Sequence, residues 1–145
     1  MEQRVSLITL GVADIEASAA FYKALGWRPV ESPDGVVAFD LIGQTLGLYP
    51  KAALAEELGL DPNSIGGFSG LALAHNLRSR DAVDALFARA IAAGAKEIKP
   101  PQEVFWGGYH AYVADPDGHV WELAHNPFSQ LGKDGSFQWL GATEG

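Results

Sequence analysis

Apolar and polar positions change period along the start of the chain, and each change predicts an element. Residues 5–12 are mostly aliphatic with loose alternation, which is typical of a strand buried on at least one face. Apolar residues then recur at helical spacing from Ile15 to Leu25, with Asp14 placed to cap the first turn and Gly26 placed to end the last. The chain therefore opens with a strand followed by an amphipathic helix.

Alternating stretches follow this helix and predict further strands. Residues 27–30 suit a short strand, and residues 36–41 and 45–49 predict a hairpin. Residues 32–35, Ser-Pro-Asp-Gly, have the composition of a turn. Residues 51–58 are rich in Ala, Leu and Glu, so they predict a short helix.

The same order of elements returns after residues 61–67, a connector rich in Gly, Pro, Asp and Asn. Residues 68–77 are again aliphatic, and Ser79 and Gly94 are placed to cap and close a second helix. Residues 96–99 predict a strand, which the Pro-Pro pair that follows is expected to break.

A hairpin ends the pattern at the turn Asp115-Pro116-Asp117-Gly118. Alternation after the turn puts Glu122 on one face of the strand, and Trp121 and Leu123 on the other. We expect Trp121 and Leu123 to face a core, whereas Glu122 faces water, a partner charge, a metal or a ligand. The tail beyond the hairpin is predicted to be a loop with an edge strand over residues 136–140.

The repeated order predicts an α+β fold of two tandem βαβββ modules, which pair as curved mixed sheets around a cleft. Module one would span about residues 4–50 and module two about residues 68–128, with a connector over about residues 51–67 and a tail over residues 129–145. Because neither module alone would bury its apolar surface, we expect residues 1–145 to form a single domain.

Composition and charge narrow the classes of partner. With 48% apolar residues, a chain of 145 residues can build one hydrophobic core. Its formal charge of −8 lacks the cationic footprint that nucleic acids and anionic membranes require. The chain has no Cys, no apolar run long enough to span a bilayer and no signal-like N-terminus. We therefore expect a cytoplasmic protein with no nucleic-acid or membrane partner.

Several short motifs occur in a characteristic order along the chain. They are Asp14 at the helix start, Phe21-Tyr22, Leu25-Gly26, Ala93-Gly94, Pro100-Pro101, the turn at residues 115–118, and Trp121-Glu122-Leu123. In this order they resemble the vicinal oxygen chelate superfamily, which includes glyoxalase I, the extradiol dioxygenases and the bleomycin resistance proteins. The resemblance implies the paired βαβββ fold, a cleft for a small molecule and, in most members, a divalent metal.

The resemblance also implies which positions would bind that metal. Glu122 matches the carboxylate of the last strand, whereas the other three positions hold Leu7, Gly47 and Ala72. These side chains offer no lone pair, and one carboxylate does not hold a divalent ion against water. We therefore predict a degenerate metal site, with no metal and no other cofactor.

Four histidines remain as candidates for chemistry. His119 lies in the turn and is expected in solvent, and His125 lies on the core face of its strand. His75 is expected behind its sheet with a hydrogen bond rather than in a ligand site. Only His110 is left to join Glu122.

The register of the last hairpin decides which residue lies beside Glu122. A four-residue turn pairs Ala111 with Glu122, whereas one more residue or a bulge pairs Tyr112 with it. The residues alone leave both registers open. Extradiol dioxygenases carry a cavity tyrosine ten residues before the carboxylate, and Tyr112 stands at that spacing, so the resemblance favours the second register.

The candidate catalytic residues are Glu122, Tyr112 and His110. The candidate ligand-binding residues line the same cleft or its rim, and they are Thr9, Asn76, Phe105, Trp106 and Tyr109. The three aromatic residues among them surround a Gly-Gly pair and suit stacking on a planar ligand. Plainer interpretations also stand: core or loop packing for Phe105 and Trp106, an Arg or Lys partner for Glu122, and a core position for Tyr112.

The favoured function is that of a small-molecule binding protein of the glyoxalase/bleomycin-resistance type, which binds or sequesters a hydrophobic or aromatic ligand. One alternative is a metal-independent lyase or isomerase with Glu122 as general base, assisted by Tyr112 or His110. Another is a metal-dependent glyoxalase- or dioxygenase-like enzyme with an atypical ligand set around Glu122 and His110. The residues leave open whether there is turnover. Members of the superfamily often dimerise, so a homodimer is a candidate assembly.

Overall fold

The structure is a computed structural model of the 145-residue chain, and it describes residues 1–30, 32 and 35–142. These residues form a mixed α+β fold with seven strands and three α-helices. In chain order the elements are β1 (Leu7–Val12), α1 (Ile15–Ala24), β2 (Val37–Asp40), β3 (Thr45–Pro50), α2 (Lys51–Leu58), β4 (Ala72–Asn76), α3 (Arg80–Ala92), β5 (Lys96–Glu103), β6 (Tyr109–Ala114) and β7 (Val120–His125), with a short 3₁₀ turn at Pro62–Ser64.

Contacts divide the chain into two compact units. The first contains residues 1–69 and 116–118, and the second contains residues 70–115 and the chain from His119 onward. Each unit has its own sheet, in the strand orders β1-β3-β2 and β4-β7-β6-β5. This arrangement confirms the α+β class and the two strand–helix–strand modules. The turn expected at residues 32–35 lies partly outside the described residues, because positions 33 and 34 are not described.

The sheet of the first unit has β1 parallel to β3 and β2 antiparallel to it. Tyr22 on α1 is buried against Phe39 on β2, with ring centroids 6.0 Å apart. Trp27 stacks on Tyr22 at 5.4 Å and donates its backbone N–H to the carbonyl of Tyr22. This attachment to the end of the helix explains why the strand expected over residues 27–30 is wrong: only Val30 pairs with the sheet, in a single bridge to Ala38.

The helix caps agree with the sequence. The side chain of Asp14 accepts a hydrogen bond from the backbone N–H of Ala17 at the start of α1, and Ser79 accepts one from Ala82 at the start of α3. Gly59 ends α2 in the left-handed conformation that a glycine adopts without strain.

The second unit packs α3 against one face of its sheet. Val83 on α3 is fully buried, as is Ala111 on β6. Trp121 and Leu123 are also buried, which confirms that their side of β7 faces the core. The alternation of β7 therefore leaves Glu122 on the other face of the sheet, away from α3.

Strand β5 runs through the two prolines that were expected to break it. Pro100 and Pro101 lie inside β5, which is the edge strand of its sheet. Its pairing with β6 shifts register between Glu97 and Lys99 and again between Lys99 and Gln102. Because an edge strand at a bulge needs fewer N–H donors, the two prolines are tolerated there.

The tail forms turns instead of the edge strand expected at residues 136–140. The carbonyl of Ser136 accepts a hydrogen bond from the N–H of Gly132, and the carbonyl of Trp139 accepts one from the Ser129 hydroxyl at 2.5 Å. These local bonds use the groups that would otherwise pair with a sheet. No helix among the described residues combines the length and apolar character that crossing a membrane requires.

Candidate functional site

The β6–β7 hairpin determines what lies beside Glu122. Its loop spans residues 115–119, and both backbone and side chain of Asp115 bond to His119: the Asp115 N–H donates to the His119 carbonyl, and Asp115 Oδ1 accepts from the His119 N–H. The strands then pair Tyr112 with Glu122, and Ala111 with Leu123. The register with Tyr112 beside Glu122 is therefore confirmed.

Three side chains meet on this face of the second sheet. Glu122 Oε2 accepts a hydrogen bond from the Tyr112 hydroxyl at 3.0 Å and lies 2.8 Å from Nδ1 of His110. The two rings lie edge to face with centroids 5.1 Å apart. The side chains of His110 and Glu122 are only 17% and 27% exposed. An ionised carboxylate only accepts hydrogen bonds, so Nδ1 of His110 carries a proton in this contact.

The environment of Tyr112 shifts its acidity. Burial comes first, followed by the hydrogen bond to Glu122 and the negative charge of Glu122, and together they raise the pKa of Tyr112 above its usual value. The phenol therefore keeps its proton and remains a donor at neutral pH.

Small apolar side chains surround the Glu122 cluster, which consists of Glu122, Tyr112 and His110. Ala74 is the β4 partner of Glu122, and Ala72 and Ala124 lie on the same side of the sheet, as does Val120. In the described part of the chain no Arg or Lys forms an ion pair with Glu122. The interpretation of Glu122 as the structural partner of an Arg or Lys is therefore not supported, and its contacts are a phenol and an imidazole.

The continuation of β5 past its prolines adds two polar residues that the sequence did not predict for this face. Lys99 pairs with Tyr112, and Gln102 pairs with His110. Residues paired across antiparallel strands point to the same side of a sheet. The alternating polar residues over 96–103 could have predicted that Lys99 and Gln102 lie on this face. The Pro-Pro pair instead led to the prediction that the strand ends before Pro100.

Two predicted ligand-binding residues lie in different units. Asn76 pairs with Ala124 and so lies on the Glu122 side of the second sheet. Thr9 lies on β1 of the first unit, where it pairs with Gly47 and is exposed. The part of Thr9 in a ligand site stays a prediction.

The loop between β5 and β6 presents two of the three predicted rim residues. Phe105 is fully exposed and Trp106 is 44% exposed, so core packing is wrong for Phe105. The Trp106 ring lies over Gly108, since a methyl group at that position would be 2.2 Å from the ring.

Tyr109 is not brought to the cluster. Its hydroxyl donates to Asp84 Oδ1 on α3 at 2.6 Å, and the guanidinium of Arg80 lies 5.2 Å from its ring centroid. The hydrogen bond to Asp84 is the first cause that raises the pKa of Tyr109. Of the three residues predicted for an aromatic rim, Phe105 and Trp106 are therefore the two that the β5–β6 loop exposes.

The other histidines are apart from Glu122. His125 donates from Nδ1 to the Leu77 carbonyl at 3.0 Å, and His119 is half-buried in the hairpin loop rather than in solvent. His75 pairs with Leu123 on the α3 side of the sheet, as expected. It is exposed, however, and the expected hydrogen bond is not formed with any residue that the structure describes.

The donor set does not fit the metal that the superfamily implies. A methyl group at Gly47 would be 3.4 Å from Cδ1 of Leu7, so that leucine occupies the space beside the first-unit position. Ala72, on the Glu122 side of β4, offers no donor atom. Within the described ranges no three His, Asp or Glu side chains form a group that could hold a metal ion.

Solved structures with the same architecture cover nearly the whole chain. A glyoxalase-related enzyme from Fulvimarina pelagi is 40% identical, with a TM-score of 0.86 over 97% of this chain and 99% of that one. A glyoxalase/bleomycin resistance protein/dioxygenase family enzyme from Burkholderia phytofirmans PsJN is 28% identical, with a TM-score of 0.74 over 84% of this chain and 98% of that one.

Sequence comparisons point the same way. An uncharacterized protein of Mycobacterium tuberculosis (strain H37Rv) is 36% identical over 132 residues, which cover 85% of this chain and 75% of that protein. The family model of the glyoxalases matches residues 4–123. The chain therefore belongs to the Glyoxalase/Bleomycin resistance protein/Dioxygenase superfamily.

Proposed function

We propose that this protein binds a small hydrophobic or aromatic molecule at the Glu122 face of its second sheet and does so without a metal. The observation that carries the proposal is the convergence of Tyr112 and His110 on one oxygen of Glu122. A sheet face with a half-buried, fully oriented carboxylate among small apolar side chains is suited to hold a ligand by a few polar contacts.

The geometry favours a ligand with a hydrogen-bond donor. Both contacts of Glu122 use Oε2, and Oε1 makes no hydrogen bond with a described residue. A ligand N–H or O–H would satisfy Oε1, while Ala74 and Ala124 leave room for a flat apolar body. Trp106 in the neighbouring loop would supply a stacking surface.

Proton transfer is the second candidate function, and the His110–Glu122 contact favours it. In this mechanism Glu122 takes a proton next to a ligand carbonyl, and Tyr112 or His110 donates a hydrogen bond to the carbonyl oxygen. This chemistry is that of a metal-independent isomerase or lyase, and it uses the same three residues.

A ligand screen by thermal shift, followed by mass analysis of the recovered ligand, separates the two functions. Glu122→Gln removes the charge and keeps the size, and Glu57→Gln makes the same change at an exposed position of the first unit. We expect ligands found with the native chain to stabilise Glu57→Gln equally and Glu122→Gln much less. Equal stabilisation of both variants would overturn the proposed site.

The fate of the ligand decides between the candidates. A ligand recovered unchanged supports binding, whereas conversion that is lost in Glu122→Gln supports proton transfer. A stoichiometric metal that copurifies with the protein and is lost in both Glu122→Gln and His110→Ala would overturn both in favour of a metal-dependent enzyme with an atypical ligand set.

A further inference from the structure

The second unit contains a cavity of about 280 Å³ at the ends of β4 and β7. Its wall is formed by Leu77 and Arg78 after β4, by His125 at the end of β7, and by residues 126, 127 and 129–131 of the chain that follows. His125 lies on the opposite side of β7 from Glu122, because side chains alternate along a strand. The cavity is therefore separate from the Glu122 cluster.

Internal hydrogen bonds hold the tail side of this wall. Asn126 Oδ1 accepts from the N–H of Phe128 at 2.8 Å, and Asn126 Nδ2 donates to the Ser129 hydroxyl at 3.1 Å. The Ser129 hydroxyl in turn donates to the Trp139 carbonyl and is buried. Asn126 and Ser129 are thus engaged in internal hydrogen bonds. The polar side chains of the wall that remain for a ligand are those of Arg78, His125 and Gln130.

Arg78 is held in place yet retains donors. Its Nη2 donates to the carbonyls of Gly132 at 2.9 Å and Lys133 at 3.3 Å. Its Nε and Nη1 make no hydrogen bond with any residue in the described ranges. Because Nε and Nη1 direct their protons to different sides of the guanidinium, each can donate a separate hydrogen bond to an anionic oxygen, and the positive charge of the group favours a carboxylate.

Asp134 is an acidic side chain whose charge interacts with that of Arg78. Hydrogen bonds from Ser136 come first in holding the pKa of Asp134 below its usual value, and the charge of Arg78 is a smaller cause. The carboxylate bonds to the Ser136 N–H at 2.9 Å and forms no ion pair with Arg78 among the described residues. Arg78 is thus available to a ligand carboxylate.

Nε2 of His125 is the ring nitrogen that remains for a ligand. Its Nδ1 bonds to the Leu77 carbonyl, and a carbonyl only accepts, so Nδ1 carries the proton. In the neutral ring Nε2 is then an acceptor, and it needs a donor such as a hydroxyl. The side-chain amide of Gln130, also in the wall, makes no hydrogen bond with a described residue and offers both a donor and an acceptor.

We propose that this cavity binds a small hydroxycarboxylate, with the carboxylate on Arg78 and the hydroxyl donating to Nε2 of His125. The wall contains one arginine and no acidic side chain, although the chain carries a formal charge of −8. The volume is below the range of about 300 to 1,000 Å³ that is usual for drug-sized ligands, so the ligand is compact.

Malate and succinate are the probes, since they differ by one hydroxyl, and glycerol has hydroxyls without a carboxylate. In calorimetric titrations we expect one malate per chain and binding of succinate weaker by about fivefold, which is the effect of one net hydrogen bond. Glycerol should not bind. Absence of malate binding, or equal affinities for malate and succinate, would overturn the proposal.

Two variants locate the site. Gln130→Glu places a negative charge in the wall at an exposed side chain, and Gln3→Glu makes the same change in the exposed N-terminal segment. We expect malate to bind about tenfold more weakly to the first and unchanged to the second. His125→Asn keeps a donor for the Leu77 carbonyl and lacks Nε2, so it should bind malate and succinate equally.

Glu122→Gln serves as the control for independence, and it should leave malate affinity unchanged. If Gln130→Glu and Gln3→Glu bind malate alike, the cavity is not the site. Loss of malate binding in Glu122→Gln would likewise overturn the separate site and place the ligand at the cluster.

Discussion

Tyr112 and His110 hold one oxygen of Glu122 between two donors, on a sheet face otherwise made of small apolar side chains. Neither donor is a permanent cation, so the carboxylate keeps most of its capacity to attract a proton or a ligand donor. This is the physical difference between a binding group and a structural ion pair. At the scale of single residues, the predicted function depends on this contact.

Tyr112→Phe tests the contact directly. The variant removes one hydrogen bond to Glu122 and keeps the ring, so we expect the free energy of unfolding to fall by about 1 kcal/mol. Urea unfolding measures it. Tyr49→Phe is the matched control, because the Tyr49 hydroxyl bonds to no described residue, and its effect should stay within about 0.5 kcal/mol. Equal losses in the two variants would contradict a specific contribution from the contact.

The raised pKa of Tyr112 predicts a dependence of stability on alkaline pH. The folded chain holds the phenol proton more tightly than the unfolded chain, whose value is near the usual 10.0. The contribution is therefore fully present below about pH 10 and is lost as pH rises through the folded value. We expect the stability difference between the native chain and Tyr112→Phe to be constant near neutrality and to shrink at higher pH. A difference that grows with pH would show the opposite shift.

Local chemistry made several residues predictable. Asp14 and Ser79 were recognised as caps, and Trp121 and Leu123 as core, because these roles follow from neighbours along the chain. The pairing of Tyr112 with Glu122 depended on one residue of loop length, which composition does not determine. Arg78 was not predicted for a site, since its cavity exists only where the tail folds back.

At the scale of elements, β5 and the loop after it shape the candidate site. Edge position and two register shifts allow β5 to continue through its prolines, so Lys99 lies beside Tyr112. The sequence predicted a break because proline removes a donor, but whether a strand is at an edge depends on pairing with distant residues. The strand predicted over residues 27–30 was wrong for a local reason, since the Trp27 ring stacks on Tyr22 of α1.

Gly108→Ala tests the role of the β5–β6 loop. The added methyl group would overlap the Trp106 ring, whose far edge can turn away into solvent. We therefore expect a loss of stability below about 1 kcal/mol but a clear loss of affinity for aromatic ligands. Trp106→Ala should show the same loss of affinity. Unchanged affinity in both variants would remove the rim from the proposed site.

At the scale of the whole molecule, the repeated order of elements was enough to predict the two modules, because each repeat carries its own caps, turns and alternation. The two sheets and the superfamily agree with that prediction. The ligand could not be predicted from the sequence, since the groups that we propose would select it come from Glu122, β4, β5 and a loop that meet only in the folded chain.

We expect the protein to form a homodimer. Large apolar side chains are exposed in both units, among them Leu7, Phe68, Leu71 and Phe128. Where such side chains form a contiguous patch, the patch marks an association surface in many proteins. Light scattering should give a mass of twice 15.4 kDa that is insensitive to salt, as apolar contacts are not screened. A mass of 15.4 kDa at working concentrations would contradict the dimer.

Oε1 of Glu122, which makes no hydrogen bond with a described residue, would also determine which molecules the proposed site excludes. A hydrocarbon ligand over Oε1 would displace its water without offering a hydrogen bond in return. Desolvation of the charged oxygen would then cost several kcal/mol, on the order of the penalty for an unpaired buried charge. The Glu122 carboxylate would therefore disfavour apolar molecules that lack a hydrogen-bond donor, and it would favour molecules of the same size that carry one. Ligand selectivity would then depend as much on the unpaired acceptor Oε1 as on the apolar surface around it.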